Sequence, residues 1–223
     1  MSANKEVYQR LAKAFSEQSV RLVAVSKTKP AGDIQELYDL GQRDFGENYV
    51  QELVDKVPVL PADIRWHFIG HLQRNKVKYI IPFVYLIHGV DSLRLLLEIE
   101  KQAAKIGRQI SVLLQIYIAG EETKFGLDEA ELKELIHHIQ EHPLHFVTIK
   151  GMMGMASFVE DEAILAKEFS YLNNLYNQTK SLPIPKASFE ILSMGMSADY
   201  TLAIQHGSNM VRIGSLLFGA RIQ

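Results

Sequence analysis

Residues 86–119 read LIHGVDSLRLLLEIEKQAAKIGRQISVLLQIYIA. Two apolar runs, 86–91 and 110–119, flank a stretch in which Leu93, Leu96, Leu97, Ala103 and Ala104 fall on one helical face. Ser92 is placed to cap that helix and Gly107 to stop it. The runs are short, mostly β-branched or aromatic along the chain, and bounded by polar or glycine residues, as strands buried on both faces of a parallel sheet are. The segment therefore reads as strand, helix, strand.

The same alternation continues outward in both directions. Further apolar runs occupy 20–27, 44–48, 66–70, 146–152, 189–195 and 209–214. Helical patterns fit 31–41, 49–56, 73–80, 160–178 and 198–206, and Leu132, Leu135, Ile136 and Ile139 repeat at helical spacing behind a capping box of Asp128 and Glu131. One more helix, about residues 4–18, precedes the first strand. Eight strands each followed by a helical stretch predict right-handed crossovers and a closed (β/α)8 TIM barrel. At 223 residues the barrel is compact, so the expectation is a single α/β domain spanning 1–223 with an extra N-terminal helix. A doubly wound open sheet is the alternative, but its first strand–helix turn, SKTKPAGD, lacks the GxGxxG of a dinucleotide binder.

Composition narrows the function. With 24 basic against 26 acidic residues and no long charge run, the chain advertises neither nucleic acid nor an anionic membrane as partner. It contains no cysteine, which removes disulfides, thiolate metal sites and cysteine nucleophiles. The N-terminus has no apolar signal core, and no apolar run approaches about 18 residues. A soluble, cytoplasmic protein is expected.

In a barrel, chemistry gathers where strands end and βα loops begin. That rim is expected to carry Lys27, Asn48, Gly70, His71, Asp91, Lys150, Ser193, Gly195, Arg212 and Gly214. Lys27 and Arg212 stand out, because each is a cation on a strand that should be buried. A rim ion pair with Glu47, Asp91 or Glu190 is one explanation. Another is chemistry: a desolvated lysine exposes a nucleophilic amine able to form a Schiff base. After the seventh strand, SMGMSAD at 193–199 brings hydroxyls and a glycine to a helix entrance, and Gly214-Ser215 does the same after the eighth. Ordinary N-capping by Ser197 and Ser215 accounts for either alone. Together they occupy the two loops where barrels hold phosphate. A lysine facing a phosphate site suits a cofactor that is both aldehyde and phosphate ester, and pyridoxal phosphate is one.

Other residues read as structural. His67 and His71 are four apart on a stretch that reads as a strand, where that spacing does not produce one convergent helical face, and His137, His138, His142 and His145 cluster around a helix end, so no metal is expected. Met152, Met153 and Met155 fill gaps. HExxH, P-loop and GxSxG motifs are absent.

The segments AVSKTKP at 24–30, FGENYVQE at 45–52, WHFIGHLQRNK at 66–76, SMGMSADY at 193–200 and VRIGSLLFGAR at 211–221 closely resemble the pyridoxal phosphate homeostasis protein family. The resemblance spans nearly the whole chain. It implies a barrel like the N-terminal domain of alanine racemase, with pyridoxal 5'-phosphate held as a Schiff base on Lys27. It further implies that Ser193, Gly214 and Ser215 hold the phosphate, that Arg212 faces the pyridine nitrogen, and that Asn48 lies by the ring. Family members often have threonine in place of Ser215, and the hydroxyl is kept. The implied role is that of a monomeric, non-catalytic carrier or regulator of vitamin B6 homeostasis, with apo-enzymes that receive the cofactor as partners. An arginine at the ring nitrogen fits that role, since it cannot accept the proton that makes the ring a strong electron sink. The racemases add a second domain with a tyrosine base, for which this chain is expected to leave no room. The alternatives are a single-domain racemase or lyase using the same cofactor, and a cofactor-free aldolase using Lys27 on a phosphorylated sugar.

Overall fold

The computed structural model describes residues 3–120 and 125–219. Eight strands run in chain order around a closed parallel ring: β1 (Arg21–Val25), β2 (Asp44–Glu47), β3 (Arg65–Phe68), β4 (Leu86–Val90), β5 (Ile110–Ile116), β6 (Val147–Gly154), β7 (Ala187–Met196) and β8 (Met210–Ile213). β8 pairs with β1, Val23 opposite Arg212, and closes the barrel. Helices follow the strands on the outside: α2 (Ala31–Asp39), α3 (Val50–Lys56), α4 (Val77–Ile80), α5 (Leu93–Ile106), α6 (Glu129–Glu141), α7 (Glu162–Lys180), α8 (Tyr200–Gln205) and α9 (Ser215–Phe218). The (β/α)8 expectation holds, including α1 (Lys5–Glu17), which precedes β1. Asn4 caps α1, and Phe15 meets the Tyr200 ring edge-on at 5.5 Å.

The helix ends behave as their residues dictate. The Ser92 side chain accepts the Leu95 N–H, Gly107 adopts the left-handed conformation that stops α5, and Asp128 and Glu131 complete a capping box on α6. The buried face of α5 differs from the expected one. Leu95, Leu96, Ile99 and Ala103 pack inward, whereas Leu97 turns to solvent. The main core lies between the barrel and its helices. A smaller apolar layer of Val23, Leu86, Leu113, Met153, Ile191 and Met210 fills the barrel itself.

β6 runs further than its apolar pattern suggests, because it is bulged. Gly151 has φ +144°, and a Cβ there would lie 1.8 Å from the Ile191 carbonyl oxygen, so only glycine lets β6 pass β7 at this point. The register shifts against both neighbours at this bulge. As a result Lys150 sits at the N-terminal mouth of the barrel, paired with Glu190 at 3.2 Å and bonded to Ser188, and not on the opposite rim where the sequence put it.

Candidate functional site

At the C-terminal ends of the strands a cavity of about 340 Å³ is lined by Lys27, Asn48, Ser197, Arg212, Gly214 and Ser215. Val25, Ile69, Met155 and Phe158 give it apolar walls, and Lys29 reaches its edge. Lys27 is half-buried, two residues past the end of β1.

The backbone on both sides of Lys27 is clamped. The Ser26 hydroxyl donates to Glu47 Oε1 (2.6 Å), and the Thr28 N–H, at the left-handed φ of 64°, donates to Glu52 Oε1 (2.6 Å). The buried Lys56 ammonium joins the two carboxylates, donating to Glu47 Oε1 (2.7 Å), Glu52 Oε1 (2.7 Å) and the Ser26 carbonyl (2.8 Å). Burial pushes the Glu47 carboxyl up, and Lys56 and Ser26 oppose it. Glu47 thus pairs with Lys56, and Arg212 instead binds Ser193 and Gly154. Nothing in the reading of separate motifs signalled this clamp.

Arg212 points into the barrel, 4% exposed. It donates through Nη1 to the carbonyl and hydroxyl of Ser193 (3.0 and 2.7 Å) and through Nη2 to the Gly154 carbonyl (3.1 Å). Those bonds use three of the five guanidinium N–H groups. Two remain on the side chain that lines the cavity. Burial lowers the Arg212 pKa to about 10, which still leaves it charged at neutral pH.

Ser193 is fully buried beneath Arg212, outside the cavity lining. The hydroxyls that line the cavity after β7 and β8 are those of Ser197 and Ser215. Ser197 accepts the Gly214 N–H at 3.2 Å and so ties the two loops together. The first N–H groups of α9 have no acceptor within the helix.

Asn48 is held from below by Gly70, where a Cβ would come within 2.2 Å of the Asn48 carbonyl oxygen. Its side-chain Oδ1 is buried without a hydrogen-bond partner. An orphaned acceptor, two spare guanidinium donors, a lysine and two hydroxyls around one hollow are the chemistry of a polar ligand site with an anionic end.

Two histidines sequence reasoning left apart meet inside the barrel. His67 Nδ1 lies 2.9 Å from His88 Nε2, and His67 Nε2 lies 2.8 Å from Asp44 Oδ1. Arg65 binds the same carboxylate through Nε and Nη2. Burial lowers both imidazoles, His88 the further, so both are neutral at pH 7. Neutral rings chain as His88 Nε2–H to His67 Nδ1 and His67 Nε2–H to Asp44, leaving His88 Nδ1 buried and unpaired. His71 instead meets Asp91 (3.0 Å) and stacks on Phe125. His138 and His142 adjoin one another, and His137 pairs with Glu141. Among the described residues no group of three potential ligands is arranged to hold a metal ion, and no helix is long and apolar enough to cross a membrane.

The family described as alanine racemase, N-terminal domain, matches residues 1–222. The pyridoxal phosphate homeostasis protein of Pasteurella multocida is 38% identical over 92% of this chain and 88% of its own. The chain belongs to the pyridoxal phosphate homeostasis protein family. The human member is 42% identical over 90% of this chain and 76% of its own length. PipY of Synechococcus elongatus, solved with pyridoxal phosphate bound, is 35% identical and superposes with a TM-score of 0.84 over 96% of this chain and all of PipY. The family's barrel is therefore this barrel.

Proposed function

We propose that the protein binds pyridoxal phosphate in the rim cavity and acts in the cytoplasm, as a monomer, as a non-catalytic carrier that regulates the cofactor's supply to apo-enzymes. The observation that carries this reading is the juxtaposition, in one hollow, of Lys27, the spare donors of Arg212, the unpaired Asn48 oxygen and the Ser197–Gly214–Ser215 turn pair.

When bound, pyridoxal phosphate supplies an aldehyde that condenses with amines and a ring that can withdraw electrons. Lys27 provides the amine for a Schiff base, and the Glu47–Lys56–Glu52 clamp fixes where that amine emerges. Ser197, Gly214 and Ser215 take the phosphate. Ser193 contributes through Arg212, which it orients, and so stands one contact away from the ligand. Arg212 keeps its own proton at neutral pH and cannot accept one, so beside the pyridine nitrogen it would leave that nitrogen unprotonated and the ring a weak electron sink, which suits delivery better than turnover.

The test is trapping. After incubation with pyridoxal phosphate, borohydride reduction should fix the cofactor's mass on the peptide containing Lys27, and Lys27→Ala should abolish the adduct. A label on Lys29 or Lys150 would refute the assignment.

A further inference from the structure

At the opposite end of the barrel, the N-terminal mouths of the strands enclose a second cavity of about 220 Å³. The barrel's inner apolar layer, with Leu86, Ile191 and Met210, forms its floor. Its wall is polar: Ser19, Arg21, Tyr85, Ser111, Lys150 and Glu190. The bottom of a TIM barrel ordinarily serves stability. Here its polar wall opens to solvent, with Ser19, Arg21, Tyr85 and Glu190 exposed and Ser111 and Lys150 half-buried. The Arg21 guanidinium and the hydroxyls of Ser19, Ser111 and Tyr85 form no hydrogen bond or ion pair with any described residue.

The acceptors, by contrast, are few and already engaged. Glu190 is taken by Lys150, and the carboxamide of Asn209 is divided between the Leu192 N–H and the Glu190 carbonyl. Two cations, Arg21 and Lys150, face one carboxylate, Glu190, which both of them hold down, so the hollow keeps a net positive charge and three hydroxyl donors. An excess of donors around a fork-shaped cation matches an oxyanion, which accepts from every direction. The size sets a limit as well. The hollow holds several times the ~30 Å³ share of one liquid water, yet is smaller than the ~300 Å³ at which sites for drug-sized molecules begin.

We propose that the N-terminal mouth of the barrel is a binding site for a small oxyanion, of the size of inorganic phosphate or a short dicarboxylate, held by Arg21 with Ser19, Ser111 and Tyr85. This site is separate from the rim cavity and does not depend on the function assigned there.

The experiment is calorimetric titration of inorganic phosphate, and separately of malonate, into the protein with and without saturating pyridoxal phosphate. The expected result is saturable one-to-one binding, millimolar or tighter, that persists when pyridoxal phosphate is present. Arg21→Gln should weaken it by about tenfold or more, the loss expected for one charge-assisted contact. Arg21→Lys should fall between, and Ser111→Ala should weaken it also. Binding of either anion upholds the site, and the preferred one identifies its source as phosphate or carboxylate. No saturable heat from either anion would overturn the proposal. So would heat that disappears on saturation with pyridoxal phosphate and ignores Arg21→Gln, which would place the phosphate in the rim cavity. Should Arg21→Gln fail to fold, unchanged affinity in both Arg21→Lys and Ser111→Ala would overturn it instead.

Discussion

Replacing Lys56 by methionine removes the cation at the centre of the clamp while keeping the volume of its stem. The ammonium it deletes has three acceptors within 2.8 Å, and its side chain is only 9% exposed. Breaking a buried pair from one side costs about 3 to 5 kcal/mol, a large part of a typical domain's stability of about 5 to 15 kcal/mol. The cost should depend on pH. Burial already raises the Glu47 carboxyl, and without Lys56 to oppose it the folded-state value rises further. A carboxyl raised above its unfolded value binds its proton more strongly in the folded state, so folding gains stability as pH falls toward that unfolded value, about 4.3. Each pH unit in the window is worth up to about 1.4 kcal/mol, and Lys56→Met should recover about 1 to 3 kcal/mol between pH 8 and pH 5.5 relative to the parent. Urea unfolding read by the single tryptophan, Trp66, which is buried, measures this directly. The double variant Glu47→Gln/Lys56→Met, with no buried charge left stranded, should lie well above the sum of the single losses. A deficit below about 1 kcal/mol at pH 8, or one that is flat from pH 8 to 5.5, would refute the reasoning.

The two serines after and within β7 separate by ligand. Ser193→Ala should weaken pyridoxal and pyridoxal phosphate alike, because it loosens Arg212, whereas Ser197→Ala should cost about 1 to 3 kcal/mol for the phosphate ester only, as spectrophotometric titration would show. For Asp44, burial alone would raise the carboxyl, but hydrogen bonds from Arg65 and His67 overcome it and hold the group below the ordinary carboxylate range. A depressed folded value stabilises above the unfolded pKa of about 3.9 and is lost below it, so Asp44→Asn should cost about 1.5 to 3 kcal/mol at pH 7 and progressively less below pH 4 in denaturant titrations. Finally, the cofactor-loaded protein should incorporate solvent deuterium at the α-carbon of L- or D-amino acids far more slowly than about 1 s⁻¹, by mass spectrometry, with sustained exchange at that rate marking an enzyme.

The barrel was legible in the sequence because parallel strands buried on both faces leave unbroken apolar runs, and eight such runs alternating with capped helices admit few topologies. Lys27 and Arg212 were legible for the converse reason: one ends an apolar run with a charge and the other interrupts one. What escaped depended on local backbone geometry. The bulge at Gly151 carries Lys150 to the far mouth, and no apolar pattern records it. β7 continues through Gly195 to Met196, so the loop's first hydroxyl is that of Ser197 and Ser193 lies within the strand. The clamp and the His67–His88 contact escaped differently, since each joins side chains of neighbouring elements, Lys56 of α3 to Glu47 of β2 and His67 of β3 to His88 of β4, whose mutual register the apolar pattern does not state. His88 did leave a trace, a polar residue within the run 86–91, of the same kind that drew attention to Arg212.

The closure of the ring between β8 and β1 also limits how the protein can be approached. One common mode of protein recognition extends a sheet by laying a partner's strand along an unpaired edge, and the same exposed edge seeds aggregation. A sealed ring offers no such edge, so a partner has only loops and outer helix faces to read. On the proposed reading, an apo-enzyme collecting its cofactor from Lys27 would have to come down onto the C-terminal rim itself, over the turns proposed to take the phosphate. Docking and release would then act on the same few loops, and a partner could loosen the cargo simply by seating itself.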